Sequence, residues 1–209
     1  MPAVEREGYD FKGWFAASDF SGSEVTTLGN YSEGVTTYYA KWTASPSYIK
    51  LAANGGSFDG VELGSAVAND DKTLATYTGA TDGTLSVASI PEPVRDGYAF
   101  AGWAATPGAG EGDVAEVGRT FPVGEAVYYA VWTPEQHTIT FDAVDGSFGD
   151  EGGQPVRTKV YTGATDQKID NRNIPVPAKD GYTFTGWYDN EAMTGSKVQS
   201  LPVKYPAAD

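Results

Sequence analysis

The heptapeptide Gly8-Tyr9-Asp10-Phe11-Lys12-Gly13-Trp14 returns as Gly97-Tyr98-Ala99-Phe100-Ala101-Gly102-Trp103 and again as Gly181-Tyr182-Thr183-Phe184-Thr185-Gly186-Trp187. A chain that repeats itself over such intervals is built from tandem copies of one structural unit. The spacings are 89 residues (Trp14 to Trp103) and 84 residues (Trp103 to Trp187). A second block, Tyr38-Tyr39-Ala40-Lys41-Trp42-Thr43, returns 90 residues later as Tyr128-Tyr129-Ala130-Val131-Trp132-Thr133. Two further blocks occur twice: Asn54-Gly55-Gly56-Ser57-Phe58 matches Val144-Asp145-Gly146-Ser147-Phe148, and Tyr77-Thr78-Gly79-Ala80-Thr81-Asp82 matches Tyr161-Thr162-Gly163-Ala164-Thr165-Asp166. The blocks divide the chain into 1–43, the C-terminal half of a repeat, 44–133, a complete repeat, and 134–209, a repeat lacking its last strand. Leu201-Pro202-Val203 aligns with Phe121-Pro122-Val123, which places the missing strand just beyond Asp209, so the chain reads as a piece of a longer protein.

Within the heptapeptide, Tyr and Phe alternate with small or polar residues, the period of a strand with one buried face. The tryptophan falls three residues after the phenylalanine and would point to the other face of a regular strand, so the intervening glycine marks a bulge that re-aims it. Tyr38 to Trp42 and Tyr128 to Trp132 read as a second strand, and Ile49-Lys50-Leu51 and Ile139-Thr140-Phe141 as a third. The linkers between repeats are therefore very short. Asn54-Gly55 and Asp145-Gly146 favour tight hairpin turns, which predicts a fourth strand directly after each. The segments 61–90 and 152–174 are weakly patterned, and Ala66 to Tyr77 is the place for a short helix. The expected fold is mainly β, α+β at most: small repeat modules, each a mostly antiparallel sheet with at most a short helix.

Composition narrows the function. With 14 basic and 28 acidic residues the formal charge is -14, which repels phosphate backbones and anionic surfaces and argues against nucleic acid as a partner. The absence of cysteine removes disulfides, thiol nucleophiles and thiolate metal sites. No apolar run approaches the length of a membrane span, so no membrane insertion is expected, and Met1-Pro2-Ala3 lacks the features of a signal peptide.

Taken in order, the blocks resemble the Listeria-Bacteroides repeat, also called the internalin B-type B repeat, of bacterial surface proteins. Its alternating strand and Asn-Gly-Gly turn stand here as Ile49 to Phe58. Its proline-led Gly-Tyr-x-Phe-x-Gly-Trp stretch stands as Pro93 to Trp103, with three residues between the proline and Gly97, and its Tyr-Ala-x-Trp as Tyr129 to Trp132. The resemblance implies a small β-grasp-like fold strung in tandem within secreted or cell-wall-attached adhesins, hence an extracellular location. The middle of the repeat, residues 59–90, is longer than the family pattern.

Candidate chemistry is sparse. His137, the sole histidine, stands near a strand start without a nucleophile motif and reads as a surface or linker residue. Gly108 to Asp113 lacks the βαβ context of a phosphate loop and reads as an ordinary loop. Asp142, Asp145, Asp150 and Glu151 do not have EF-hand spacing. No lysine–asparagine pair is singled out for a cross-link. No catalytic residue, cofactor or metal ligand is assigned.

The residues expected to matter are a structural core: Tyr9, Phe11, Trp14, Trp42, Tyr98, Phe100, Trp103, Tyr128, Trp132, Tyr182, Phe184 and Trp187. The expected role is a non-enzymatic adhesin stalk or weak binding module, with a host or matrix protein or glycan as partner. The alternative is a carbohydrate-binding accessory module of a secreted enzyme, in which the aromatics would form a sugar-stacking platform. The incomplete end repeats also suggest head-to-tail self-association by strand addition near Tyr38 to Trp42.

Overall fold

The computed structural model describes residues 2–28, 37–168, 174–198 and 205. The chain divides into two compact units, Met1–Val94 with Phe100–Val131, and Arg95–Ala99 with Trp132–Asp209. The described residues are mainly β, with a single 3₁₀ turn at Glu111–Asp113. In chain order the strands are β1 (Tyr9–Phe15), β2 (Tyr39–Ala44), β3 (Pro46–Ala52), β4 (Val67–Ala68), β5 (Leu74–Ala80), β6 (Tyr98–Ala104), β7 (Glu125–Pro134), β8 (Gln136–Asp142), β9 (Asp150–Glu151), β10 (Gln154–Pro155) and β11 (Thr158–Ala164).

The first two strands form an antiparallel ribbon in which Phe11 faces Trp42 and Trp14 faces Ala40, with a slip between Phe11 and Trp14. The slip is the expected bulge. Gly13 sits at φ +113°, a conformation that side-chain-bearing residues avoid. The bulge turns Trp14 onto the same face as Phe11, with the ring centroids 5.7 Å apart, and Trp42 lies 5.3 Å from Phe11. Gly102 and Gly186 repeat the conformation at φ +142° and +141°.

A five-stranded sheet, order β4-β5-β3-β7-β6, organises the complete repeat. Its central strand β3 pairs antiparallel with β5 and parallel with β7. Ser47, Ile49 and Leu51 point inward and are buried, while Tyr48 is exposed and Lys50 half-buried. Tyr77 and Ala75 of β5 stand opposite Ile49 and Leu51 in register, and Ala130 and Val131 of β7, with Phe58, Leu85, Trp103 and Phe121, are buried as well. The second unit is founded on the antiparallel pair β8–β11, with β9–β10 as a small ribbon.

Three expectations differ from the structure. The segment from Ala66 to Tyr77 forms no helix: it holds β4 and the start of β5, in keeping with its Gly, Asp and Thr content. The Asn54-Gly55 turn forms, with Asn54 at φ 49° and Gly55 at φ 91° and the Gly56 N–H donating to Ala53 O at 3.0 Å, but no hairpin partner follows it. Both edges of β3 are taken by β5 and β7, so the chain leaves the sheet and Ser57 bridges Val94. In the third copy, Tyr182 to Trp187 belongs to no strand, because no described counterpart of β2 or β7 supplies its ladder hydrogen bonds.

The end of the chain also aligns differently. Leu201-Pro202-Val203 lies outside the described residues, and Tyr205 takes the place of Phe121. The Asp82 N–H donates to Phe121 O at 2.9 Å and the Asp166 N–H to Tyr205 O at 3.4 Å. Each of these rings also lies against the glycine of a Thr-Gly-Ala sequence, Phe121 on Gly79 and Tyr205 on Gly163.

Candidate functional site at the repeat junctions

Each heptapeptide begins on a turn whose sequence is basic, acidic, glycine, tyrosine. In Arg6–Tyr9 the Tyr9 N–H donates to Arg6 O at 3.0 Å, and Gly8 takes φ +77°, the geometry of a type II turn that calls for glycine at its third position. The Arg6 guanidinium lies 3.5 Å from the Tyr9 ring centroid, a cation–π arrangement that holds both side chains in place.

The next repeat grips this turn at four points. The Ser45 N–H, in the linker between β2 and β3, donates to Gly8 O at 2.9 Å. The Thr81 N–H and hydroxyl both donate to Ser45 O, at 3.0 and 3.1 Å. The Tyr9 hydroxyl donates to Asp82 Oδ2 at 2.6 Å, and Arg6 stands 4.0 Å from the same oxygen. A β-carbon on Gly8 would meet Thr81 Cγ2 at 2.7 Å, so the glycine also makes room for the threonine.

The same set of contacts recurs one repeat later, with Arg95, Gly97, Tyr98, Glu135, Thr165 and Asp166 in the places of Arg6, Gly8, Tyr9, Ser45, Thr81 and Asp82. Arg95 stacks on Tyr98 at 3.7 Å, the Glu135 N–H donates to Gly97 O at 2.9 Å, and the Thr165 N–H donates to Glu135 O at 2.8 Å. The Tyr98 hydroxyl donates to Asp166 Oδ2 at 3.0 Å, and the Thr165 hydroxyl reaches the Gly97 and Glu135 carbonyls. At the position of Ser47, whose hydroxyl donates to the Pro122 and Gly124 carbonyls, stands His137. The histidine is buried rather than at the surface, 5% exposed, with Nε2 2.8 Å from Thr165 Oγ1. The linker residues Pro134, Glu135 and Gln136 are exposed, and His137 is buried because it falls on the inward face of β8, against Thr165.

The expected core residues therefore part into two groups. Trp103 is buried, and Trp14, Trp42, Trp132, Trp187, Phe100 and Tyr128 are half-buried. Phe100 packs edge-on against Trp103 at 5.3 Å and Phe184 against Trp187 at 5.2 Å, so the aromatics cluster within each repeat. The Tyr128 hydroxyl accepts the Gly118 N–H at 2.9 Å. Phe11 and Phe184 are 37% and 38% exposed. The tyrosines Tyr9 and Tyr98 are half-buried at the junction, and Tyr182, in the third turn, is 71% exposed. The residues that sequence reasoning missed are Thr81, Asp82, Thr165 and Asp166. Their signal was the repeated Tyr-Thr-Gly-Ala-Thr-Asp block, whose partner in the preceding repeat no local pattern reveals.

The Tyr9 phenol is held above its ordinary pKa, chiefly by the hydrogen bond it donates to Asp82, which ionisation would destroy. A folded pKa raised in this way contributes stability that is complete below the unfolded value of about 10. That stability is lost as pH rises through the folded value. Asp82→Ala should therefore move the Tyr9 titration to lower pH, followed by NMR of Cζ-labelled tyrosine; an unchanged midpoint would show that the bond does not form in solution.

Among the described residues no three His, Asp or Glu side chains gather as a metal site. Asp142 accepts the Val144 N–H at 2.7 Å as a turn residue, and Asp113 accepts the Gly110 N–H at 3.1 Å within the glycine-rich loop. No helix of the described residues is long and apolar enough to cross a membrane.

The family model of the Listeria-Bacteroides repeat domain matches residues 1–41, 53–130 and 137–209. The chain is 29% identical over 199 residues to a protein of Evansella cellulosilytica described as a Gly-rich membrane protein, a match covering 91% of this chain and 20% of that protein. A second membrane protein of that organism is 28% identical over 200 residues, covering 91% of this chain and 24% of its own length. Internalin H of Listeria monocytogenes is 33% identical over 145 residues, covering 67% of this chain and 22% of that protein. The chain thus spans between a fifth and a quarter of the length of these relatives. No solved structure matches it.

Proposed function

Because this chain belongs to the Listeria-Bacteroides repeat family, we propose that it is a non-enzymatic spacer of a bacterial surface adhesin, whose tandem repeats carry other binding elements away from the cell. The observation that supports this reading most directly is that one junction, with the same main-chain hydrogen bonds, stacked arginine and tyrosine–aspartate bond, occurs twice along the chain. A chain that builds the same joint twice in succession is organised to grow by addition of units. The relatives agree with this, since two are described as membrane proteins and the third as an internalin. The net charge of -14 keeps such a segment solvated and averse to self-association. The aromatic rings pack on one another within each repeat, which favours the spacer over a sugar-stacking platform.

Protease treatment of intact cells that carry the parent protein should release peptides from this segment. Titration with cell-wall and host polysaccharides should leave its tryptophan emission unchanged. Peptides recovered only after lysis would overturn the surface assignment, and a saturable emission change would transfer the reading to carbohydrate binding.

A further inference from the structure

The third turn of the series, Lys179–Tyr182, is built like the other two. The Tyr182 N–H donates to Lys179 O at 3.1 Å, against 3.0 and 3.1 Å at Tyr9 and Tyr98. Gly181 takes φ +76°, against +77° at Gly8 and +73° at Gly97. The Lys179 ammonium stands 4.3 Å from the Tyr182 ring centroid. What differs is the covering. Among the described residues no atom lies within 4 Å of a β-carbon placed on Gly181, whereas Gly8 meets Thr81 and Val123, and Tyr182 is 71% exposed. Lys179 pairs with Asp145 at 3.4 Å, where Arg6 faces the Asp82 of the following repeat.

We propose that Lys179, Gly181 and Tyr182 form a preorganised docking surface for the leading segment of another repeat of this class. The chemistry that would occupy it is set by the two filled examples. An extended linker donates a main-chain N–H to the Gly181 carbonyl, a threonine lies on the glycine, and the aspartate after that threonine accepts the tyrosine hydroxyl and faces the cation. Because the turn, the glycine conformation and the stacked cation are already in place, docking needs no rearrangement of the receiving side. A neutral sugar could cover the open ring but would leave the carboxylate position unfilled. The inference concerns how repeats join, and it stands whether or not the segment works at a cell surface.

The test extends the full chain with a second copy of residues 124–207 placed directly after Ala207, the copy carrying Tyr182→Phe so that only the native tyrosine reports. Tetranitromethane should nitrate Tyr182 of the unextended chain roughly an order of magnitude faster than Tyr9 or Tyr98, the contrast between an open and a locally protected group. In the extended chain the rate at Tyr182 should fall to theirs, and Asp166→Ala within the copy should raise it again. The low rates at Tyr9 and Tyr98 report in every sample that the existing junctions are intact. A rate at Tyr182 that extension leaves unchanged, or protection that survives Asp166→Ala in the copy, overturns the proposal.

Discussion

Replacing Trp103 by alanine should lower the unfolding free energy of the complete repeat by about 3–5 kcal/mol, the range for deleting a buried large aromatic. The indole is 6% exposed. It stacks on Phe58 at 6.3 Å and 14° and meets Phe100 edge-on at 5.3 Å. Its main chain is fixed at both ends, by the bulge at Gly102 and by the Ala115 N–H that donates to Trp103 O at 2.8 Å. Phe100 is held in β6 and Phe58 by the hydrogen bond its N–H donates to Lys72 O at 2.7 Å, so neither can collapse into the space and the full cavity cost should appear. Urea unfolding followed by circular dichroism measures it, with the slope unchanged and the midpoint lowered. A midpoint that barely moves would show that the indole packs loosely in solution.

Gly79→Ala should be destabilising by about 1–3 kcal/mol, although a glycine-to-alanine change in a strand ordinarily stabilises by roughly 0.4–1 kcal/mol through the unfolded chain. Overpacking decides the sign here, because a β-carbon on Gly79 would fall inside the van der Waals envelope of the Phe121 ring. The ring has nowhere to go. Phe121 is 4% exposed, and its backbone is pinned by the Asp82 N–H to its carbonyl and by its own N–H to Gly83 O, both at 2.9 Å. Phe121→Ala alone should cost about 3–5 kcal/mol, and in its background the glycine substitution should cost nothing further. A double-mutant cycle reads this directly, and strict additivity would sink the account.

Much of this architecture is legible before any coordinates. The alternation of Ile49 and Leu51 with Tyr48 and Lys50 gives β3 and its buried face, and the offset of Trp14 from Phe11 gives the bulge at Gly13, because both are periodic signals carried by consecutive residues. What stays hidden is pairing across distance. Asn54-Gly55 carries a true turn signal, but whether a hairpin follows depends on β5 and β7 having claimed both edges of β3. The Thr81-Asp82 and Thr165-Asp166 sequences are visible as repeats, yet their partners Tyr9 and Tyr98 lie 73 and 68 residues away in the preceding repeat. Tyr205 was missed for a related reason: Leu201-Pro202-Val203 is the better local match, whereas the socket at Gly163 selects a ring. The heptapeptide tyrosines illustrate the limit of reading recurrence as burial, since a residue can recur because every joint needs it.

The parallel pairing of β3 with β7 has a mechanical consequence. These strands open and close the complete repeat, and they run side by side over five register pairs, from Tyr48 with Glu125 to Ala52 with Tyr129. A pull that enters at Pro46 and leaves at Pro134 therefore drags the two strands lengthwise past each other in opposite directions. The load falls on all five positions together, in shear, instead of peeling them apart one at a time as at the open end of a zip. Tension along the chain thus meets each complete repeat in the direction in which its central ladder is hardest to break.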